Sequence, residues 1–508
     1  MSEKRRLLAN TLANGAAQFA TIASALVFMP LLIHEFGMAT YGTYVLVTSI
    51  AGWVALLDFG VGPSLVKMMA EHLARDEHER IGNLALTSLV FYLVVGIVVA
   101  GLLTGLAFVS ASVFKVSGAD AMLLKRMLLV AAVFALWMWP ANTSVYVLGG
   151  FQRYTVTACV QLGVTLSIIA AYVVVLTRHS GPFTLFVAVS AITMIGSLVN
   201  VSVAWRAVRH ITTARPQLRM PELRRIFDFS WAIFLIQLST VVLYQNTDRV
   251  VLGVFIGTAA IALYEPVSRF QSLVVQLVAF TNSAVLPMAS HLDASQSSER
   301  LKQLFLRGTK YTLAFVTPLV IVLIVLARPI LDHWVGPVFA LQANNARILL
   351  APQLLIVGGV VGDSIITGIG KLPKRIPYAM AITAANLVLS VVLVQRLGIL
   401  GVVLGTAIPY LIDYPFHIRL LLREIDVPLG RWMREVIAPI YPLLAVPTAI
   451  CVAGLFTPLA GSLVGLAALG AFAAGACYAS ILVFGLTDSE RLELSGILAG
   501  LKARMVRP

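Results

Sequence analysis

The chain has 508 residues, 59% of them hydrophobic and 12% charged, and its 37 Lys and Arg against 23 Asp and Glu give a formal net charge of +14. A soluble domain is about 45–50% apolar and about 25% charged, so charges this sparse exclude a water-facing fold of this size. The basic residues lie in short gaps between apolar blocks, which points to membrane topology rather than to a nucleic-acid face.

A helix crossing the hydrocarbon core needs about 20 apolar residues, and by that criterion the sequence predicts about fourteen spans. They fall at 10–33, 42–65, 84–110, 125–148, 155–177, 183–205, 229–256, 262–287, 311–328, 347–369, 377–395, 399–418, 436–456 and 462–486. Lys4, Arg5 and Arg6 before an apolar run, with Ala23-Ser24-Ala25 behind it, resemble a secretory leader. That run has a counterpart later in the chain, so it reads as the first span. Along it Asn10, Asn14, Gln18, Thr21 and Ser24 recur at helical steps and form one stripe. The stripe suits a sugar path or a close-packed helix seam equally well.

Sorting the 37 cations by side gives the orientation. The amino terminus, the even-to-odd loops and the tail hold 28, the odd-to-even loops hold 7, and Arg249 and Arg269 fall inside spans. The positive-inside rule then places both termini in the cytoplasm. Cys159, Cys451 and Cys477 all lie in apolar stretches and read as small core residues, with no disulfide or metal spacing.

The chain also resembles itself at an offset near 220. Phe36-Gly37 with Tyr44 matches Ile256-Gly257 with Tyr264, Met69-Ala70-Glu71-His72-Leu73 matches Met288-Ala289-Ser290-His291-Leu292, and Glu79-Arg80-Ile81 matches Glu299-Arg300-Leu301. Six spans per repeat is an even number, so both copies enter the membrane from the same side, as in transporters built from parallel repeats. The expected domains are an N-lobe at 1–215, a C-lobe at 216–435, an unpaired helix pair at 436–486 and a cytoplasmic tail at 487–508.

Certain motifs resemble a known family. Leu57-Asp58-Phe59-Gly60-Val61-Gly62 leading to Ser64-Leu65-Val66-Lys67, Phe36-Gly37 with Tyr41-Gly42, Gly149-Gly150-Phe151-Gln152-Arg153-Tyr154, and Asp248-Arg249-Val250-Val251-Leu252-Gly253 to Gly257 are similar to motifs of Wzx-type polysaccharide-biosynthesis flippases. These belong to the multidrug/oligosaccharidyl-lipid/polysaccharide (MOP) exporter superfamily. The resemblance implies an all-α, MATE-like bundle of two six-helix lobes forming a V around a cavity lined by spans 1, 2, 7 and 8. It implies alternating access and an undecaprenyl-pyrophosphate-linked oligosaccharide as cargo, moved from the cytoplasmic to the outer leaflet of the bacterial inner membrane. The pathway would be that of O-antigen, capsule or exopolysaccharide. The partners it implies are the phospholipid bilayer, a polysaccharide polymerase and assembly proteins, with no nucleic acid, cofactor or metal.

Charges inside spans cost about 2.5–3.5 kcal/mol each on insertion scales, which makes them candidates for function. Asp248 and Arg249 in span 7 and Glu265 and Arg269 in span 8 form the clearest set, and their positions minus 220 carry no charge. Glu265 and Arg269 are four apart and share a helix face, as do Gln245 and Arg249. Guanidinium groups grip phosphate oxygens in planar, bidentate fashion. The substrate-binding candidates are therefore Arg249, Arg269, Gln245, Gln18 and Asn14. Asp248, Glu265, Asp58 and Glu35 are candidates for gating or ion coupling. An ion network joining span 7 to span 8, and for Asp58 a helix-end role, are the structural alternatives, and a structural role stays open as well for Asp363 and Asp413 in spans 10 and 12. Two rival activities are a MATE-like drug or cation exporter and a membrane-embedded polymerase or ligase. The short external loops and the lack of a nucleophile–base constellation or a phosphate-binding loop spacing speak against an enzyme.

Overall fold

The computed structural model describes residues 3–212, 216–218, 247–282 and 284–492 with scattered positions between 221 and 238, and side chains from Ala20 onward. Every regular element among them is helical. We label α1 (Glu3–Phe36), α2 (Met38–Val54), α3 (Val61–Ala74), α4 (His78–Val113), α5 (Gly118–Gly150), α6 (Tyr154–Thr177), α7 (Pro182–Ile211) and α8 (Thr247–Phe255). After these come α9 (Thr258–Asn282), α10 (Val285–Ala294), α11 (Ser298–Val325), α12 (Gln353–Gly368), α13 (Ile376–Leu397), α14 (Ile399–Ile425), α15 (Ala445–Gly454) and α16 (Leu463–Ser480), with short helical turns between.

Among the described residues 12 helices are long and apolar enough to cross a membrane, and they coincide with expected spans 2–6 and 8–14. The protein is a multi-pass membrane protein. For the first span only Ala20–Phe36 is described with its side chains, and most of the seventh, 229–256, lies outside the described residues. Large apolar side chains such as Phe108, Val133, Val464 and Phe472 are exposed along these helices. In lipid this is the expected arrangement, since the backbone is satisfied within each helix and the apolar face needs no cover.

The internal repeat is written in the turns. Left-handed or otherwise positive-φ residues occur in pairs at Gly37 and Gly257, Asp76 and Gln296, Gly118 and Gly336, Gln152 and Gly370, and His179 and Gly398. Each pair keeps the offset near 220 that the sequence carries. The helices therefore begin and end at matching places in both copies, even where a glycine in one is a polar residue in the other.

The chain divides into two compact units, Met1–Leu263 with Val394–Val402, and Tyr264–Leu393 with Val403–Pro508. In the first, α4 and α5 pair along their length, and a Cβ on Gly96 would meet Trp139 Cβ at 3.1 Å and the Ala135 carbonyl at 3.2 Å. Span 2 is broken. A 3₁₀ turn at Ala55–Asp58 follows α2, then Phe59 (φ 52°) and Gly60 (φ 72°) turn left-handed before α3 restarts at Val61. Two consecutive left-handed residues cannot continue a right-handed helix, so the motif read from the sequence is a helix break.

In the second unit α11 packs on α12, and Val322, Leu326, Cys451, Leu466, Leu469 and Ala473 form a buried cluster that fixes the last two spans to α11. Cys451 and Cys477 are core residues as expected, whereas Cys159 is exposed on α6. A thiol on a lipid-facing helix surface needs no polar partner, so apolar sequence context alone did not distinguish core from periphery.

Candidate functional site

The break in span 2 positions Asp58, which is 8% exposed. Its Oδ1 accepts hydrogen bonds from the Tyr92 hydroxyl of α4 and, at 3.3 Å, from the Tyr146 hydroxyl of α5. Its Oδ2 accepts from the Gly62 backbone N–H at 3.3 Å, in the first turn of α3, where unpaired N–H groups and the helix dipole favour a carboxylate. Tyr92 and Tyr146 stack with ring centroids 5.8 Å apart. A Cβ on Gly62 would stand 2.2 Å from the Tyr146 ring, so the glycine is what lets the hydroxyl reach. Neutral donors thus hold both carboxylate oxygens.

In span 8 the predicted pairing on one helix face is present. Arg269 Nη2 lies 2.7 Å from Glu265 Oε1, with Glu265 1% and Arg269 35% exposed. Arg269 Nε is buried and has no hydrogen-bond partner among the described residues. The guanidinium therefore neutralises Glu265 and keeps donor capacity in hand. Asp248 and Arg249 are half-buried at the start of α8, beside the buried Thr247. Gln245, and the side chains of Asn14 and Gln18, lie outside the described residues. In the first unit Glu35 Oε1 lies 2.8 Å from Nδ1 of His179, the left-handed residue after α6.

Sequence reading missed one network. Asp363 of α12 meets His417 of α14, with Nε2 2.8 Å from Oδ1, and Arg375 reaches both Asp363 (Nε to Oδ1, 3.5 Å) and Asp413 (Nη2 to Oδ2, 3.7 Å). Asp413 and His417 are four apart, the spacing that brings side chains onto one face, and that signal was available. A Cβ on Gly359 would come within 3.2 Å of His417 Cε1. Two carboxylates, one guanidinium and one imidazole reach neutrality with a single proton, the state a membrane interior favours.

Near the basic ends of the helices, ion pairs tie loops to spans. His72, 2% exposed, lies 2.6 Å from Glu77, and that hydrogen bond, with the Arg80 charge at 3.4 Å, holds the Glu77 carboxyl below its ordinary range. Lys310 of α11 and Glu490 are both buried and paired at 2.7 Å. Glu490 also caps the last described helical turn, accepting from the Thr487 backbone N–H at 2.8 Å, in a Thr-x-x-Glu capping box. Burial alone would raise the Glu490 carboxyl, but the Lys310 and Thr487 hydrogen bonds outweigh it and bring it below the usual carboxylate range.

Comparison with known proteins matches a family model described as polysaccharide biosynthesis protein to residues 7–293, more than half of the chain. An uncharacterized membrane protein of Methanocaldococcus jannaschii is 26% identical over 229 residues, which cover 44% of this chain and 45% of that protein, so the chain spans less than half the length of the curated relative it matches. Among solved structures, the lipid II flippase MurJ in an inward closed conformation superposes with a TM-score of 0.68 at 15% identity, covering 92% of this chain and 98% of that one. An inward-facing multidrug resistance MATE family transporter of the MOP superfamily gives 0.67 at 16% identity, covering 79% and 94%. The fold is the one these transporters share.

Proposed function

Since the chain belongs to the polysaccharide biosynthesis protein family, we propose that it is a flippase for an undecaprenyl-pyrophosphate-linked oligosaccharide, carrying it from the cytoplasmic to the outer leaflet of a bacterial inner membrane. The observation that carries the reading is Arg269. It is a guanidinium inside a span, anchored by Glu265 at 2.7 Å, with a buried Nε that has no partner among the described residues. A pyrophosphate diester is the kind of ligand such a group is suited to hold, through charge-assisted hydrogen bonds. Arg249 is proposed as the second phosphate contact, with Gln245, Gln18 and Asn14 toward the sugar. Asp248, Glu265 and Glu35 are proposed in gating or coupling.

The excess of cations, 28 against 7, supports cytoplasmic termini. The repeat supports a division into lobes at 1–215 and 216–435, with 436–486 as an added pair and 487–508 as the tail. With the cytoplasm negative, outward movement of an anion gains about 2.3 kcal/mol per charge per 100 mV. The remaining barrier is the passage of a sugar head through hydrocarbon. The test is surface polysaccharide in cells carrying Arg249→Ala and Arg269→Ala, singly and together, with expression checked. We expect loss of polymer and accumulation of lipid-linked units. Normal polymer with both changes removes the arginines from the mechanism.

A further inference from the structure

In the first unit α4 and α5 touch closely at Gly96, but on the other side of Pro140 they and α7 leave a cavity of about 320 Å³. Pro140 interrupts the α5 hydrogen-bond ladder at that level. The walls are apolar side chains such as Leu86, Leu89, Val147, Val201 and Trp205. Two lining hydroxyls interrupt them: Ser144 is satisfied by the Ala141 carbonyl at 2.6 Å, while Thr143 Oγ1 is buried with no hydrogen-bond partner among the described residues. Leu89 is 41% and Trp205 61% exposed, so the slot is flanked by the lipid-facing surface.

The end of the slot is cationic. The Arg209 guanidinium sits 5.7 Å from the centroid of the Trp205 ring, one helical turn beyond the lining residue. Arg206 and Arg80 stand at the same helix ends; Arg80 is paired with Glu77 at 3.4 Å and has Glu79 beside it in sequence, so Arg209 and Arg206 are the cations the slot relies on. An apolar slot running from the bilayer interior to a cluster of arginines matches the charge distribution of an anionic lipid. Basic pockets between membrane helices bind such head groups.

We propose that the slot between α4, α5 and α7 is a binding site for one anionic glycerophospholipid. One acyl chain fills the cavity past Pro140 and the phosphate lies at Arg209. The site is independent of the cargo reading. It would make the packing of α4, α5 and α7 depend on the lipid composition of that leaflet.

The test is native mass spectrometry of the full chain released from micelles doped with phosphatidylglycerol or phosphatidylcholine. One phosphatidylglycerol should survive activation and phosphatidylcholine should not. Arg209→Gln, an exposed change, should weaken retention about fivefold, the worth of one cation near a lipid surface. Ala85→Phe, which fills the cavity, should remove it while the lipid-free melting temperature stays unchanged. Equal retention of both lipids, or wild-type retention in Arg209→Gln, overturns the proposal. Displacement of phosphatidylglycerol by a polyprenyl diphosphate in the wild type also overturns it, and assigns the slot to the cargo instead.

Discussion

The two units bury charge by different means. In the first, Asp58 is enclosed by two tyrosine hydroxyls and a backbone N–H, all neutral donors. In the second, Glu265, Lys310 and Glu490 are buried as members of ion pairs, Glu265 with Arg269 and the other two with each other. A carboxylate whose oxygens are held by neutral groups fixes a local shape. An ion pair with donor capacity left over can exchange its partner for a ligand or a proton. The repeat therefore duplicated the scaffold, and the chemistry of the polar groups diverged afterwards. Several substitutions break or sharpen that contrast.

The largest effect is expected at Lys310. Lys310→Met leaves Glu490 buried without its cation, and breaking one side of such a pair costs about 3–5 kcal/mol. Lys310→Met with Glu490→Gln should recover most of it, because the amide keeps the capping acceptor without a charge. Melting of the detergent-purified chain checks both. The sign with pH follows from the lowered Glu490 carboxyl. A depressed folded value contributes stability that is present above the unfolded value, about 4.3, and is lost as pH falls through the folded one. In Lys310→Met burial alone acts on Glu490 and raises its carboxyl, so the gap to wild type should be largest near neutral pH, narrow as the variant's Glu490 takes up a proton above the unfolded value, and narrow further as the wild-type carboxyl protonates below it.

Next is Asp58. Asp58→Ala strands two buried hydroxyls and the α3 N–H, at about 2–4 kcal/mol in total. Asp58→Asn keeps an acceptor and should melt close to wild type with transport intact. If Asp58→Asn instead abolished surface polymer at an unchanged melting temperature, the first unit would also hold a coupling charge and the contrast would fail.

Much of this was legible in the sequence, and the exceptions have physical causes. Hydropathy alone placed the twelve spans found among the described residues, because a bilayer demands uninterrupted apolar length whatever the tertiary packing. The repeat was visible through residues at turns, where backbone conformation restricts side-chain choice, and the positive-φ pairs fall at the same offset. The Glu265–Arg269 pairing was local, four residues on one helix, and so could be read directly. The Asp363–Arg375–Asp413–His417 network joins two helices and the turn before α13 across more than 50 positions of sequence, and no one-dimensional period encodes such a contact. Asp58 was noticed as a charge in a span, but the tyrosines that hold it come from helices 34 and 88 residues away.

A middle-sized effect is expected at Arg269. A charge-assisted hydrogen bond to phosphate is worth about 1.5–3 kcal/mol, so Arg269→Ala should slow flipping about 10–100-fold in proteoliposomes. Arg269→Lys preserves charge but not the planar fork and should fall between. Glu265→Gln with Arg269→Ala removes the stranded carboxylate as an explanation. If that pair flips cargo normally, the span 8 charges are only a helix-face ion pair and the second unit is no more chemical than the first.

The smallest effect concerns the break itself. Gly60 has φ 72°, and placing a Cβ there costs about 1–2 kcal/mol, so Gly60→Ala should lower the melting temperature by a few degrees. At the corresponding interruption of span 8, Ala284 is right-handed (φ −89°, ψ −13°) and the flanking Asn282 is tied to α12 through the Val360 carbonyl and the Ser364 hydroxyl. Ala284→Gly should therefore also destabilise, by about 0.5–1 kcal/mol, through backbone entropy alone. Opposite substitutions with the same sign would establish that the two repeats interrupt equivalent spans by different backbone geometry. A stabilising Ala284→Gly would mean that the second break carries strain like the first, and that the contrast between the units is confined to their charges.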